Sequence, residues 1–329
     1  MTVDVVRTEI VKALSSGNFV SGQELGQQMG LSRSAIANHI KTLSNLGLDI
    51  FKVTGKGYKL SSPLIMISRD ELAKRLSTSV CSTNLINVLN VVGSTNDEIK
   101  RRISALEKGA VYVAEAQTNG RGRRGRKWVS PYGASIYLSM LWRFESGYES
   151  ISGLSLGVGL AVRRAIAKSG FDDVYLKWPN DVYINNKKLA GVLIELEGQL
   201  GGATEVVIGI GININLPMGD LGINQEYIDL QTVMGRHINR NKICAAIIEE
   251  LWALLQMFES SGIAPLIQEW READLYLDKH VVLIAGKERI TGICRGINET
   301  GALLLETNLG IKAFHGGEVS VRPDQSATT

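Results

Sequence analysis

The chain has few of the residues that build covalently stapled or metal-stapled sites. Cysteine occurs three times in 329 residues, at Cys81, Cys244 and Cys294. The odd number and wide spacing argue against a disulfide framework and fit a reducing compartment. The four histidines, His39, His237, His280 and His315, are equally scattered. With no Cys or His pair at ligand spacing, a protein-built zinc centre is not expected. There is no run of 18 or more apolar residues, so no membrane span is read. The first residues, Met1 to Arg7, show no basic segment followed by an apolar one, so no secretory signal is read either. These absences point to a cytoplasmic protein with no membrane partner. Charge of one sign is also scarce: 36 Lys and Arg against 33 Asp and Glu leave +3. No internal repeat or low-complexity segment is present. A chain that is 44% apolar and 21% charged is globular, and its length fits two or three domains at roughly 100–200 residues each.

The small positive excess is concentrated. Residues 1–60 hold seven Lys and Arg against four Asp and Glu, which accounts for all of the +3. That segment reads as three helices and a ribbon. Val3, Val6, Ile10, Val11 and Leu14 recur at helical spacing before Gly17. Ser21-Gly-Gln-Glu24 is a capping box that opens a second helix, closed by Gly30. Ser32 caps a third, with Ile36, Ile40, Leu43 and Leu46 on one stripe and Gly47 as its stop. Asp49 to Leu60 alternates around the turn Thr54-Gly55-Lys56-Gly57. If the stripe faces a core, Arg33, Ser34, Ala37, Asn38 and Lys41 face outward. Arg33 and Asn38 suit bidentate contacts to base edges, Ser34 and Lys41 suit phosphates, and Lys52 and Lys56 lie on a wing. The segment is therefore read as a winged helix-turn-helix, with Ser32, Arg33, Ser34, Asn38, Lys41, Lys52 and Lys56 as candidate DNA contacts. The competing reading is a three-helix protein-interaction module with a solvated polar face.

Ser61-Ser62-Pro63 reads as a linker. Beyond it, residues 111–116, 136–142, 174–178, 192–197 and 206–214 read as strands, and residues 151–168 and 243–260 as helices. The elements come in clumps rather than in strict alternation, which favours α+β over a doubly wound sheet. From about residue 277 the pattern is all β. Short strands at Val281–Ala285, Arg289–Ile297, Ala302–Glu306 and Ile311–Phe314 suggest a small barrel. The expected units are 1–62, 63–275 and 276–329.

The most unusual segment is Gln117-Thr-Asn-Gly-Arg-Gly-Arg-Arg-Gly-Arg-Lys-Trp128. Five of the seven residues 121–127 are cationic, with glycines between them. Glycines let backbone N–H groups close around an anion, and arginine offers a forked contact to phosphate. Such a loop should be mobile when empty and ordered by a polyphosphate; alternatively it is a basic patch for nucleic acid. Four further segments carry polar groups at strand ends. They are Gly93-Ser-Thr-Asn-Asp97, Lys177-Trp-Pro-Asn-Asp181, Lys188-Leu-Ala-Gly191 and Gly209-Ile-Gly-Ile-Asn213. The glycines of the last would let a ligand approach the backbone closely.

In this order, the motifs GSTN, QTNGRGRRGRKW, KWPND, KKLAGVLIE and GIGININ resemble the biotin–protein ligase family. With the winged helix in front, the chain resembles its bifunctional branch, which joins a biotin ligase to a repressor of the biotin operon. The resemblance covers essentially residues 1–325. One departure is Asn119, where the family's loop usually has a smaller residue. The family implies a class II synthetase-like mixed sheet at the centre and an SH3-like β-barrel at the C-terminus. It implies that Ser94, Thr95, Asn96 and Gln117 border the biotin ureido pocket. Arg121, Gly122 and Arg123 would cover the biotin carboxylate and the nucleotide phosphates, with Lys188 at that carboxylate and the attacked phosphorus. Trp128 would stack near the adenine. Arg126, Lys177, Asn180 and Asn213 would contact ATP or the adenylate. Arg123, Lys188, Lys177 and Asp181 would be catalytic, with Mg²⁺ near Asp181 and the phosphates.

The activity implied is that of a biotin–[acetyl-CoA-carboxylase] ligase. Biotin attacks the α-phosphorus of ATP, and biotinyl-5′-AMP then passes its acyl group to a lysine of the biotin carboxyl carrier protein. The same adenylate would serve as corepressor, with a homodimer on operator DNA. Two anions must meet in the first step, so neutralisation and positioning dominate the chemistry. Two other readings compete: a repressor that senses the ligand without transferring it, and a ligase for a related acid such as lipoate.

Overall fold

The computed structural model describes residues 2–77, 82–145, 147, 151–197, 203–316 and 319–324. Helix α1 (Val3–Leu14) starts at the cap Thr2. Helix α2 (Gly22–Met29) starts at Ser21, whose hydroxyl accepts from the Glu24 N–H at 3.0 Å, and stops at Gly30 with φ of 67°. Helix α3 (Arg33–Asn45) starts at Ser32, which accepts from the Ala35 N–H at 3.2 Å. Strands β1 (Ile50–Val53) and β2 (Gly57–Leu60) form the antiparallel ribbon. Gly57 is required there, since a Cβ would lie 2.2 Å from the Val20 carbonyl oxygen. Val6, Ile10, Val11 and Leu14 are buried with Leu25, Ile36, Ile40 and Leu43, as the stripes predict; Val3 in the first turn is exposed.

This N-terminal unit does not close its core alone. Ala116 and Tyr132 belong to the same apolar cluster. The Tyr132 N–H donates to the Leu46 carbonyl at 2.8 Å, and its hydroxyl donates to Asn90 Oδ1. Asn90 in turn donates to the Asp4 carbonyl at 3.2 Å. The sequence suggested a linker and a separate module; the structure shows one with a shared wall.

After the short helix α4 (Arg69–Ala73) come β3 (Ile86–Val92), α5 (Thr95–Arg101), β4 (Val111–Gln117) and β5 (Ser135–Phe144). Helix α6 (Leu154–Ala167), β6 (Tyr175–Lys177), β7 (Asp181–Ile184), β8 (Lys187–Glu197) and β9 (Thr204–Asn213) follow. They build a seven-stranded sheet in the order β3-β4-β5-β9-β8-β7-β6, parallel only at β3–β4. Side chains alternate across it. Ile136, Leu138, Met140 and Trp142 of β5, with Val206, Ile208, Ile210 and Ile212 of β9, pack against α6 and α8 (Arg240–Ser261). The intervening Leu141 and Val207 pack against Ile99 of α5. That second face also carries Ser139, Gly209 and Gly211, and the functional cleft opens over them.

Helix α7 (Leu230–Met234) precedes α8, and α9 (Ile267–Ala273) follows it. Strands β10 (His280–Ala285), β11 (Glu288–Ile297), β12 (Leu303–Thr307), β13 (Gly310–Phe314) and β14 (Val319–Pro323) form an antiparallel sheet in the order β13-β12-β11-β10-β14. Its end strands are not hydrogen-bonded to each other among the described residues. Neither β14 nor β7 stands out in the sequence: each is short and interrupted by polar residues.

One buried ion pair joins three elements. Glu115 of β4 and Arg240 at the start of α8 are 1% and 2% exposed, with Nη2 and Oε2 2.6 Å apart. Glu115 Oε1 accepts from the Ile67 N–H at 2.6 Å, and Arg240 donates to the Ile65 and Ser135 carbonyls. Glu115→Gln would leave the guanidinium buried without its counter-charge. It should lower unfolding stability by about 3–5 kcal/mol in urea titration. The pair Glu115→Leu with Arg240→Met should recover most of the loss; a single variant as stable as the parent would show that the pair contributes little.

Candidate functional site

A cleft of about 1500 Å³ lies between the second face of the central sheet and the C-terminal sheet. Its lining includes Ser94, Gln117, Arg123, Lys177, Lys188 and Arg322.

At the floor, Ser94, Thr95 and Asn96 open helix α5 and are all buried. The Thr95 N–H donates to Gln117 Oε1 at 2.9 Å, and Gln117 Nε2 donates to Ser130 Oγ at 3.2 Å. Asn96 Nδ2 donates to Glu195 Oε2 at 2.7 Å, while its Oδ1 accepts from Ser139 at 2.5 Å. A Cβ on Gly209 would fall 2.4 Å from Asn96 Oδ1. The four residues expected at the ureido pocket are thus brought together. Ser139 and Glu195, which the sequence reading missed, fix them. Glu195 is legible only as a lone carboxylate in the apolar run of β8.

The cationic segment folds as a hairpin. The Gly122 N–H donates to the Arg126 carbonyl at 2.7 Å, and the Trp128 N–H to the Gly120 carbonyl at 2.9 Å. Arg124 and Gly125 turn it with φ of 58° and 66°. Asn119 is exposed, its N–H donating to the Gly93 carbonyl at 2.8 Å, so the departure from the family costs the loop nothing. The arginines have different partners. Arg121 makes two 2.6 Å contacts to the two oxygens of Asp97 and approaches Glu195 at 3.4 Å. Hydrogen bonding to Arg121 holds the Asp97 carboxyl below its ordinary range. Burial works to raise Glu195, but its bonds from Asn96 and Lys100 outweigh that and lower it. The charge of Arg121 is therefore already matched within the protein. Arg123 instead enters the cleft, donating to Asn180 Oδ1 at 3.1 Å, and burial pulls its pKa down. Arg126 and Lys127 are exposed at the rim.

Trp128 lies flat against bare backbone. A Cβ on Gly211 would be 2.5 Å from the indole, and one on Gly191 3.1 Å. Gly209 and Gly211, read in the sequence as room for a ligand, first make room for Asn96 and Trp128. Lys188 Nζ sits 5.3 Å from the Trp128 ring centroid and 2.8 Å from Asp181 Oδ1. Asn180 Nδ2 donates to the Val192 carbonyl at 2.7 Å. Lys177 donates to the Tyr183 hydroxyl at 3.2 Å, and burial lowers its pKa. Asn213, expected at the nucleotide, is buried, and its Nδ2 donates to the Ile228 carbonyl at 3.1 Å and to the carbonyl of the cleft residue Lys188 at 3.5 Å. Its place at the end of β9 makes it the anchor of the segment after residue 225.

On the N-terminal unit, Arg33, Ser34, Asn38, Lys41, Lys52 and Lys56 are all exposed. Ser32 Oγ is engaged in capping. Lys56 and Lys59 stand 5.9 and 5.7 Å from the Phe19 ring centroid.

Comparison with known proteins adds independent observations. The Biotin/lipoate A/B protein ligase family model matches residues 88–213, an HTH domain model residues 6–59, and the Biotin protein ligase C terminal domain model residues 276–322. The bifunctional ligase/repressor BirA of Escherichia coli (strain K12) is 43% identical over 323 residues, 98% of this chain and 99% of that protein. The biotin--[acetyl-CoA-carboxylase] ligase of Mycobacterium tuberculosis is 31% identical over 71% of this chain and 88% of its own length. The biotin protein ligase from Aquifex aeolicus, solved in complex with biotin and ATP, is 32% identical with a TM-score of 0.65, covering 73% of this chain and 99% of that one. Likeness that runs from the helix-turn-helix through the cleft to the C-terminal sheet admits one conclusion: the chain belongs to the family of bifunctional biotin ligase/repressors.

Proposed function

We propose that this protein condenses biotin with ATP to biotinyl-5′-AMP and transfers the biotin to a lysine of the biotin carboxyl carrier protein of acetyl-CoA carboxylase. With the adenylate bound it represses a biotin operon. The observation that carries this reading is the convergence of Arg123, Lys177 and Lys188 on one cleft, with Asp181 between them. Units at 1–62, 63–275 and 276–329 would divide the work. Dependence on ATP supports a cytoplasmic location, and no described helix is long and apolar enough to cross a membrane.

In the first step the biotin carboxylate oxygen bonds to the α-phosphorus, and the bond to the β-phosphate oxygen breaks to release pyrophosphate. Ser94, Thr95, Asn96 and Gln117, at the buried floor of the cleft, hold the ureido end. Arg123 and Lys188 lower the repulsion between the carboxylate and the phosphates. Lys177, Asn180 and the rim cation Arg126 face the phosphate chain, and Trp128 offers a flat surface for the adenine. Arg121 and Gly122 close the loop over the ligand, Arg121 by its grip on Asp97. Asp181 and Asn180 fit Mg²⁺, which typically takes one or two protein carboxylates together with phosphate oxygens and water. When bound, the ion would neutralise phosphate charge.

In the second step a neutral lysine amine attacks the acyl carbon and AMP leaves. Asp181, 2.8 Å from Lys188, is better placed to orient that lysine than to take the amine's proton.

The repressor half uses the exposed face of α3 in the major groove and the β1–β2 ribbon as wing. A two-fold dimer is the usual form of such readers. β8 offers an edge for it. β7 pairs with β8 only as far as Gly191, Asn180 covers Val192, and residues 193–197 pair only with β9 among the described residues. Pairing of a second copy along Val192–Leu196, at the residues beyond Val192 that Asn180 leaves open, stabilised when the loop 117–128 folds over the adenylate, would couple ligand to DNA.

Three outcomes are expected. Lys188→Ala and Arg123→Ala should each slow adenylate formation by orders of magnitude without loss of fold, since a charge-assisted contact is worth about 1.5–3 kcal/mol or more. Near-parental pyrophosphate release in both would remove them from the mechanism. Arg33→Ala should weaken operator binding by about 1–3 kcal/mol while leaving biotin transfer intact. Sedimentation should show tighter self-association with biotinyl-5′-AMP, in the range of about 5–150-fold. Unchanged association together with unchanged operator affinity would sink the coupling.

A further inference from the structure

The Lys177–Asp181 segment faces two ways. Asn180 and Asp181 turn to the cleft, where they hold Arg123 and Lys188. Trp178 turns away: it is buried and donates from Nε1 to the Gly301 carbonyl, at 3.1 Å, in the turn between β11 and β12. Lys177 lies between these directions. Its Nζ is 5.0 Å from the centroid of the Tyr183 ring and 5.7 Å from that of Tyr276, with the Tyr183 hydroxyl at 3.2 Å.

Tyr276 comes from the first residues of the C-terminal unit, and its backbone is pinned on both sides. The Leu275 N–H donates to the Leu176 carbonyl at 2.9 Å, so that residues 274–275 extend the edge of β6. The Tyr276 N–H donates to Asp274 Oδ1 at 3.0 Å, and the Asp278 N–H donates to the Cys294 carbonyl of β11 at 2.8 Å. The ring therefore sits where the C-terminal sheet is docked on the cleft.

The electrostatics explain why an aromatic wall suits this position. Lys188, Arg126 and Arg322 repel the Lys177 ammonium, and Asp181, which attracts it, is paired with Lys188. A second carboxylate would hold the lysine but cancel its charge. Aromatic faces attract a cation through their quadrupole and leave the charge available to an anion.

We infer that Tyr276 is a positioning residue: with Tyr183 it holds Lys177 in the cleft for the phosphates of ATP, and it makes that position depend on the docking of the C-terminal sheet. The inference rests on the proposed role of Lys177 at the phosphates.

The test uses the full-length protein and four variants: Tyr276→Phe, Tyr276→Met, Lys177→Ala and Lys177→Ala with Tyr276→Met. Methionine keeps apolar bulk without the aromatic face, so the fold should survive, and thermal melting checks it. KM for ATP and kcat are read from pyrophosphate release, and biotin affinity is titrated separately. Tyr276→Met should raise KM for ATP about tenfold with biotin affinity unchanged. Tyr276→Phe, which keeps the ring, should restore it, and the double variant should be no worse than Lys177→Ala. A parental KM in Tyr276→Met overturns the inference. So does a full tenfold penalty added on top of Lys177→Ala, or an equal loss of biotin affinity, either of which would make Tyr276 a general structural residue. Unaltered ATP kinetics in Lys177→Ala alone would identify the failure as that of the lysine's phosphate role.

Discussion

The absence of a Cβ at three points on one sheet face is the constraint on which the cleft depends. Gly209 admits Asn96 into hydrogen-bonding range of Ser139, and Gly191 and Gly211 admit the Trp128 indole. Any side chain at Gly209 or Gly211 would meet those groups at 2.4 or 2.5 Å. Asn96 fixes the start of α5, and Trp128 fixes the end of the cationic hairpin, so both walls of the cleft are set from the same bare strip. The opposite face of the same strands is continuously apolar and carries α6 and α8. One pair of strands thus serves as core on one side and as a ligand-binding platform on the other, by alternation alone.

Charge is distributed on that platform by neutralising some cations and sparing others. Arg121 is matched by Asp97 and Glu195, and Lys100 joins the same carboxylates. This cluster locks the hairpin's first residue to α5 and β8. Arg123 is held instead by the neutral Asn180, and Lys177 by a hydroxyl and aromatic faces. Neutral hydrogen-bond partners orient a cation without cancelling it; Asp181 attracts both Arg123 and Lys177, but its closest contact is with Lys188. Lys188 is the intermediate case: Asp181 holds it at 2.8 Å, and a phosphate of the proposed substrate would compete for it. In the proposed reaction, where two anions have to be brought together, preorganised positive charge is the main resource for catalysis.

Local signals in the sequence translated well into structure. Ser21 and Ser32 cap the helices they precede, Ile36, Ile40 and Leu43 of the stripe are buried with Leu46 half-buried, and Arg33, Ser34, Asn38 and Lys41 of the outward face are exposed with Ala37 half-buried. The motif residues Ser94, Gln117, Arg123, Lys177 and Lys188 do line one cleft. What the sequence hid depends on contacts across long stretches of chain. Glu195 reaches Asn96 over 99 positions, and Arg240 reaches Glu115 over a longer span. The bonds of Asn213 to the Lys188 and Ile228 carbonyls are likewise invisible in the sequence, because they depend on segments that follow β7 and β9. Tyr132 gave no sign of belonging to the N-terminal core, because nothing local distinguishes a residue that packs within its own unit from one that packs across units.

That shared core gives the two halves of the molecule a physical connection. Val91 of β3, Ala116 of β4 and Tyr132 in the turn before β5 pack with the N-terminal unit. Each is close in sequence to a cleft residue: Val91 precedes Ser94, Ala116 adjoins Gln117, and Tyr132 follows Trp128. The Ser130 hydroxyl, between the last two, donates to the Trp128 carbonyl and accepts from Gln117. A ligand that settles the hairpin therefore settles the segment whose backbone binds the C-terminus of α3 at Leu46. Contiguity of this kind becomes coupling only if the hairpin has two states that the ligand distinguishes. The charges of residues 121–127 favour that condition: Arg121 is matched by Asp97 and Glu195, but Arg124 and Arg126 repel Arg123, and an anion bound among them would relieve the repulsion. The same charges that the proposed chemistry needs would then make the loop's fold, and the DNA reader's footing, sensitive to what the cleft holds.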